Sequence, residues 1–310
     1  MKDKEQAVFG KIMLFGEYGI LCQGKALTIP LKNFSGKLRF PAKTPKINQS
    51  VSNRQLKEYH AYLSAKEEDS GYWNINLHAF HNELKKGLYF ASDIPQGYGA
   101  GSSGALVAAV YRRFVVEGQN GLAQPDLGIL QNKFALLEGY FHGSSSGLDP
   151  LSCYLGAPLK FSPTEGASAV KIPINIFPEE SGFFLINTGS PRKTGELVRM
   201  FHQKNREEAF QEMIQDRYNE TVSSCITSLI DGNLKAVETQ LKILSELQLR
   251  FFNEMVPEGF KDLWVQGLNS GYFTLKLCGA GGGGFILGFS NDISGLKKNL
   301  KNYEVTEISL

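Results

Sequence analysis

Lys11 and Glu17 are the first residues of the chain that ask for a chemical explanation. They lie in residues 7–21, an otherwise apolar segment, at positions where apolar side chains are expected. Taking a charge out of water is costly unless a partner meets it. The two therefore either form a structural salt bridge or serve as a functional pair. Glu138 stands near the C-terminal end of an amphipathic helix predicted over residues 123–141, where Leu127, Leu130, Phe134 and Leu137 make one stripe. The helix dipole disfavours a carboxylate there, so something positive must compensate it. Asp149 follows on a turn of small residues, His142-Gly-Ser-Ser-Ser-Gly-Leu-Asp-Pro150. An acid on such a turn either bonds its own backbone or is presented to a ligand. His142 reads as a structural hydrogen-bonder, since no second histidine lies nearby.

Two glycine clusters supply the other chemistry. In residues 93–110, Pro95 ends an extended run and Gly97, Gly99 and Gly101 alternate through a loop. Alternating glycines let the backbone take positive φ and approach a ligand closely. Ser102 and Ser103 then open an apolar run with Leu106, Val110 and Phe114 on one helix face. A glycine loop feeding a helix N-terminus is an anion site, because free N–H groups and the helix dipole both favour a phosphate. The spacing fits neither the Walker A pattern nor the dinucleotide fingerprint. The second cluster, Gly279-Ala-Gly-Gly-Gly-Gly284, lies between two predicted strands. It is richer in glycine than a hairpin needs, so it is expected to meet a ligand or another backbone. A basic turn over residues 189–194 carries Arg192, Lys193 and Thr194.

The elements that must position these residues read as an α+β chain. Short strands are predicted at 27–30, 36–40, 88–92, 159–161 and 170–174, with a helix at 77–88. Residues 41–71 are polar and weakly periodic and read as a variable excursion or poorly ordered loop. After a boundary at 178–182 come a strand at 183–187 and helices at 195–214, 216–231 and 233–253. Strands at 272–278 and 285–289, a helix at 292–300 and a strand at 303–308 close the chain. Helices packed on an antiparallel sheet are the implied pattern. The 310 residues favour two domains, 1–180 and 181–310. A hydrophobic fraction of 42% with 21% charged residues is that of a globular protein, and a net charge of +2 argues against nucleic acid or an anionic membrane as partner. The four cysteines are isolated, with no C-x-x-C pair, and read as reduced thiols. No secretory core or apolar run of membrane-spanning length is seen, so the cytoplasm is expected.

Three motifs in order resemble those of the GHMP small-molecule kinases: Gly10-Lys-Ile-Met-Leu-Phe-Gly-Glu-Tyr18, Pro95-x-Gly-x-Gly-x-Gly-Ser-Ser103, and Leu277-Cys-Gly-Ala-Gly-Gly-Gly-Gly284. Within that family the likeness is nearest to mevalonate kinases. Glu138, Gly143-Ser-Ser-Ser-Gly-Leu-Asp149 and Asn187-Thr-Gly-Ser-Pro-Arg-Lys-Thr194 echo their further motifs. Two residues depart: Ser145 replaces the usual proline, and Tyr18 stands where those kinases typically carry histidine. Gly-Glu-Tyr is commoner in phosphomevalonate kinases.

The resemblance implies an N-terminal domain like the second domain of ribosomal protein S5 and a ferredoxin-like C-terminal domain. It implies ATP and Mg²⁺ as cofactors and phosphorylation of mevalonate to 5-phosphomevalonate in isoprenoid biosynthesis. Asp149 would be the base, with Lys11 beside it. Pro95, Gly97, Tyr98, Gly99, Ala100, Gly101, Ser102 and Ser103 would hold the nucleotide, and Ser103 and Glu138 the metal. Glu17, Tyr18, Arg192, Thr194, Gly279, Ala280, Gly281 and Gly282 would face the acceptor. Besides ATP, that small molecule is the expected partner, and a homodimer is allowed for. The alternatives are a phosphomevalonate kinase, another kinase of the family, or a ligand-binding sensor that has lost catalysis. Galactokinase carries Arg where Lys11 stands, homoserine kinase lacks the Lys–Asp pair, and diphosphomevalonate decarboxylase lacks this lysine. In a phosphomevalonate kinase, Tyr18, Arg192 and Lys193 would meet the acceptor's phosphate.

Overall fold

Strand β1 (Val8–Phe15) alternates little and is buried along most of its length, as a strand covered on both faces should be. It opens a computed structural model that describes residues 6–42, 44–66, 70–116, 126–143, 145–173, 175, 177–192 and 194–310. The chain folds into two compact units. The first comprises residues 1–11, 32–95 and 101–156, and the second residues 12–31, 96–100 and 157–310. Strands β1 and β2 (Ala26–Arg39) run from one unit into the other. The two short strands predicted at 27–30 and 36–40 are thus one continuous strand.

In the first unit β2 is followed by α1 (Ile47–Ala65), α2 (Ser70–Trp73), α3 (Leu77–Lys85), β3 (Tyr89–Ser92), α4 (Ser102–Phe114), α5 (Leu127–His142) and α6 (Leu148–Leu155). Residues 36–39 of β2 pair antiparallel with β3. The helix α1 corrects the expectation of a loop over 41–71. Its polar residues, which obscured the period, have specific work. The Ser52 hydroxyl accepts from Phe90 N at 2.9 Å and donates to Phe90 O at 3.1 Å, and Asn53 Nδ2 donates to Leu88 O at 2.6 Å. Only Leu56, Tyr59 and Leu63 are buried, at helical spacing. The start of α5 is fixed by Asp126, whose Oδ1 accepts from Ile129 N at 3.0 Å; the predicted start at 123 lies outside the described residues.

In the second unit residues 26–28 of β2 pair antiparallel with β4 (Leu159–Ser162), which pairs in turn with β5 (Gly166–Ala169). The strand predicted at 170–174 is displaced to β5, just ahead of it. There follow β6 (Gly182–Asn187), α7 (Thr194–Lys204), α8 (Glu208–Glu212), a π-helical turn over Met213–Tyr218, α9 (Asn219–Ile230) and α10 (Leu234–Phe251). Helix α11 (Lys261–Ser270), not foreseen from the sequence, buries Leu263 and Trp264, whose indole donates to Ser245 Oγ at 2.7 Å. Then come β7 (Phe273–Leu277), β8 (Phe285–Ser290), α12 (Ile293–Asn299) and β9 (Val305–Glu307). The second sheet has the antiparallel order β7-β8-β6-β9. That is the βαββαβ order of a ferredoxin-like domain, with the extra helices inserted in the first crossover.

The α1 assignment has a direct test. Leu56→Ala should cost about 2–5 kcal/mol in urea unfolding, as for a fully buried leucine. Ile47→Ala, at a position 81% exposed on the same helix, should change stability by less than about 0.5 kcal/mol. Equal small effects would return residues 47–65 to a loop.

Candidate active site

Within the first unit, Lys11 Nζ lies 2.6 Å from Asp149 Oδ1. Lys11 is 5% exposed, so its ammonium is held almost entirely by this contact and its surroundings. Asp149 is the second residue of α6, in its first turn, rather than on a free turn. A helix N-terminus favours a carboxylate, and Lys11 adds to that preference. The approach of α6 to α4 depends on Gly104. A Cβ there would stand 2.9 Å from the Asp149 carbonyl carbon and the Pro150 nitrogen, closer than a side chain tolerates. Gly104 therefore sets Asp149 against the first turn of α4, next to Ser103.

Ser103 Oγ donates to Glu138 Oε1 at 3.1 Å and lies 3.1 Å from His142 Nε2. The second oxygen, Glu138 Oε2, accepts from Ser145 Oγ at 2.5 Å. Burial pushes the Glu138 carboxyl up to about 7, and repulsion from Asp149 adds to it. The bonds from Ser145 and Ser103 and the charge of Lys11 oppose the rise. A carboxylate with a raised pKa, two hydroxyl partners and a neighbouring acid suits a hard divalent cation, which would relieve the repulsion. Ser103 and Glu138 thus fit Mg²⁺, which usually keeps waters and takes few protein oxygens. The compensating charge expected near Glu138 is in part Lys11.

Within the second unit, the two glycine clusters meet around Arg192. Arg192 N donates to Gly97 O at 3.0 Å, and its Nη1 donates to Cys278 O at 2.8 Å. A Cβ on Gly99 would stand 2.8 Å from Arg192 Nη1, and one on Gly284 2.6 Å from the Tyr98 Cα. Gly97, Gly99, Gly279 and Gly281 through Gly284 all have positive φ. The expectation that the second cluster meets another backbone closely is met by residues 97–99 and by Met255, whose carbonyl accepts from Gly282 N at 2.6 Å. Thr194 is the exposed first residue of α7, and Ala100 is buried under the loop. Lys193 lies outside the described residues.

Lys11 and Glu17 do not pair with each other. Glu17, 2% exposed, forms an ion pair with the fully buried Lys276 of β7. Burial raises the Glu17 carboxyl, and the Lys276 charge opposes that. Tyr18 is 5% exposed, has φ +57°, and stacks on Phe201 and Phe252 with centroids 4.7 and 5.3 Å away. Its hydroxyl donates to Ala280 O at 2.7 Å. Glu17 and Tyr18 thus act on the 279–284 loop from beneath. Lys276 and Gly104 were not foreseen as part of the site, and Ser145 stood out only as a departure from the motif's proline. A lysine between two leucines in an apolar strand was a readable signal for the first; nothing in the local sequence marked Gly104.

Residues 67–157 match the family model for the GHMP kinases N terminal domain. The matched segment carries the likeness to the GHMP kinases and supports reading the chain as an ATP-dependent small-molecule kinase. Its fold is the GHMP kinase fold. L. major mevalonate kinase, solved in complex with R-mevalonate, superposes with a TM-score of 0.66 at 18% identity, covering 98% of this chain and 96% of that one. The Methanococcus jannaschii mevalonate kinase gives 0.62 at 16% identity over 100% of both chains. The Streptococcus pneumoniae phosphomevalonate kinase, in complex with phosphomevalonate and AMPPNP, gives 0.60 at 18% identity, covering 98% and 99%. No curated protein sequence matches the chain significantly.

The raised Glu138 carboxyl has a stability consequence. An acid whose folded pKa exceeds its unfolded value holds more protons in the native state between the two. Wild-type stability should therefore fall relative to Glu138→Gln as pH rises from about 4.5, the ordinary glutamate value, through about 7. Urea unfolding of both proteins at pH 5, 6, 7 and 8 without metal measures this. A difference that stays flat across that range would remove the titration from Glu138.

Proposed function

We propose that this GHMP kinase transfers the γ-phosphoryl group of ATP to the 5-hydroxyl of mevalonate. The observation that carries the chemistry is the Lys11–Asp149 pair at 2.6 Å, set beside Ser103 and Glu138. Asp149 takes the proton as the acceptor O–H bond breaks and the new P–O bond forms, with ADP leaving. Lys11 pairs with Asp149 and offsets charge on the group in transfer. The free amides of residues 97–103 hold the phosphates. Ser103 and Glu138 would hold Mg²⁺, which would supply neutralising charge to the phosphate oxygens. Phosphoryl transfer needs mainly positioning and charge stabilisation, so these groups suffice.

Arg192 is our candidate for the acceptor's carboxylate, since guanidinium and carboxylate pair through strong, often bidentate bonds. The acceptor assignment is supported by the mevalonate kinase motifs. A phosphomevalonate acceptor would ask Tyr18 to meet a second phosphate, whereas the Tyr18 hydroxyl is engaged by Ala280 O. Glu17, Gly279, Ala280, Gly281 and Gly282 serve the acceptor by shaping the loop, with Thr194 at its side. We place the activity in isoprenoid biosynthesis in the cytoplasm. Among the described residues no helix is long and apolar enough to cross a membrane.

Asp149→Asn should lower kcat by about 10²–10⁴, the usual contribution of a positioned base, while nucleotide affinity stays near wild type. Turnover within a few-fold of wild type would remove Asp149 from the chemistry. Initial rates with ATP and a panel of mevalonate, phosphomevalonate and galactose identify the acceptor. Arg192→Ala should raise KM for mevalonate at least about tenfold, in keeping with the loss of one charge-assisted contact, with a smaller effect on ATP. Preference of the wild-type enzyme for phosphomevalonate would overturn the mevalonate assignment and leave the kinase chemistry intact.

A further inference from the structure

Ser145 occupies the position where the resembled motif carries proline, and it has two bonds that a proline could not supply. Its Oγ donates to Glu138 Oε2 at 2.5 Å and accepts from Gly147 N at 2.9 Å. The neighbouring Ser146 carbonyl accepts from Gln131 Nε2 at 2.9 Å. Gly147 fits against α5 so closely that a Cβ would stand 2.8 Å from Ala135 N. The turn before α6 is therefore clamped to α5 at two points, and the Ser145 clamp falls on the Glu138 carboxylate itself.

We infer that Ser145 is a positioning residue that fixes one Glu138 oxygen and so turns the other toward Ser103 and the metal. This rests on the reading of Ser103 and Glu138 as Mg²⁺ ligands. Oε2 is spent on Ser145, and Oε1 is left facing Ser103 at 3.1 Å. Ser145 Oγ also ties that carboxylate, through Gly147 N, to the turn leading into Asp149. The metal ligand and the base are thereby held in one register by a side chain that touches neither substrate nor metal. A hydroxyl–carboxylate bond is charge-assisted, hence short and directional. Its removal leaves a carboxylate oxygen, on a residue 3% exposed, without that donor.

The test titrates Mg²⁺ calorimetrically into the full-length protein saturated with a non-hydrolysable ATP analogue. Ser145→Ala should raise the half-saturating Mg²⁺ about tenfold, the effect of one lost bond to a charged group. Ser145→Thr, which keeps the hydroxyl, should stay within about threefold of wild type. Analogue binding in EDTA should be the same for all three, because the glycine loop is untouched. Unchanged Mg²⁺ affinity in Ser145→Ala, with Glu138→Gln weakened, would overturn the role of Ser145 and spare the metal reading. Wild-type Mg²⁺ affinity in Glu138→Gln would overturn the metal reading and this inference together. A Ser145→Ala protein with a lowered Tm but normal Mg²⁺ affinity, or a Thr variant as weak as Ala, would make Ser145 merely structural.

Discussion

Charge buried on and just after strand β1 is the constraint on which much of this protein depends. An ammonium or carboxylate taken out of water needs a partner, and breaking a buried pair typically costs about 3–5 kcal/mol. Lys11, within β1, and Glu17, two residues past its end, each find that partner far along the chain. Lys11 takes Asp149 in one unit, and Glu17 takes Lys276 in the other. Neither pair can form until α6 or β7 is in place, so each pair couples a local strand to long-range topology. Ion pairs of this kind contribute less to net stability than to specifying one arrangement, and here the two pairs serve different ends. The Lys11–Asp149 pair leaves the carboxylate 36% exposed and so available to a reactant. The Glu17–Lys276 pair is sealed, and supports the Tyr18 turn and the glycine loop above it.

Glycine is used here to bring backbone to backbone as much as to bend it. The loop over residues 97–101 and the loop over residues 279–284 lie against Arg192 and against each other so tightly that side chains at Gly99 and Gly284 would collide with their neighbours. The conformational entropy cost of so many glycines is offset by ordering from Arg192, Met255 and Tyr18, each bonding a backbone group. Arg192 is thus held in place by Cys278 O, which lowers the entropy cost of using its remaining donors. The positive φ of Tyr18, rare for a non-glycine residue, is maintained by the two stacked phenylalanines and the bond to Ala280 O.

Glu138 illustrates how a carboxyl is kept ionisable while buried. Desolvation alone would protonate it, and Asp149 adds repulsion. Two serine hydroxyls and Lys11 pull it back toward the charged form. With the carboxyl still pushed up to about 7, a divalent cation bound there would have to displace a proton near neutrality, and would in return relieve the repulsion from Asp149.

The chemistry was legible in the sequence where residue type is decisive by itself. Lysine and glutamate inside an apolar strand, glycines alternating before a helix, and an acid after a small-residue turn are signals that need no partner to be read. The α+β character followed from periodicity and boundary, and the ferredoxin-like C-terminal domain was implied by the resemblance to the GHMP kinases. What the sequence did not determine were pairings and polar helices. Lys11 and Glu17 looked like each other's partners because they are six residues apart, but their true partners come from other elements. Helix α1 read as a loop because Ser52 and Asn53 break its stripe, and only the edge of β3 shows why they are polar. Gly104 looks like an ordinary small residue until α4 and α6 are packed, and Ser145, a visible departure from the motif's proline, shows its bond to Glu138 only once α5 is in place. The physical reason is common to all of these: composition and spacing fix what a residue can bond, whereas burial and long-range contact decide which bond it makes.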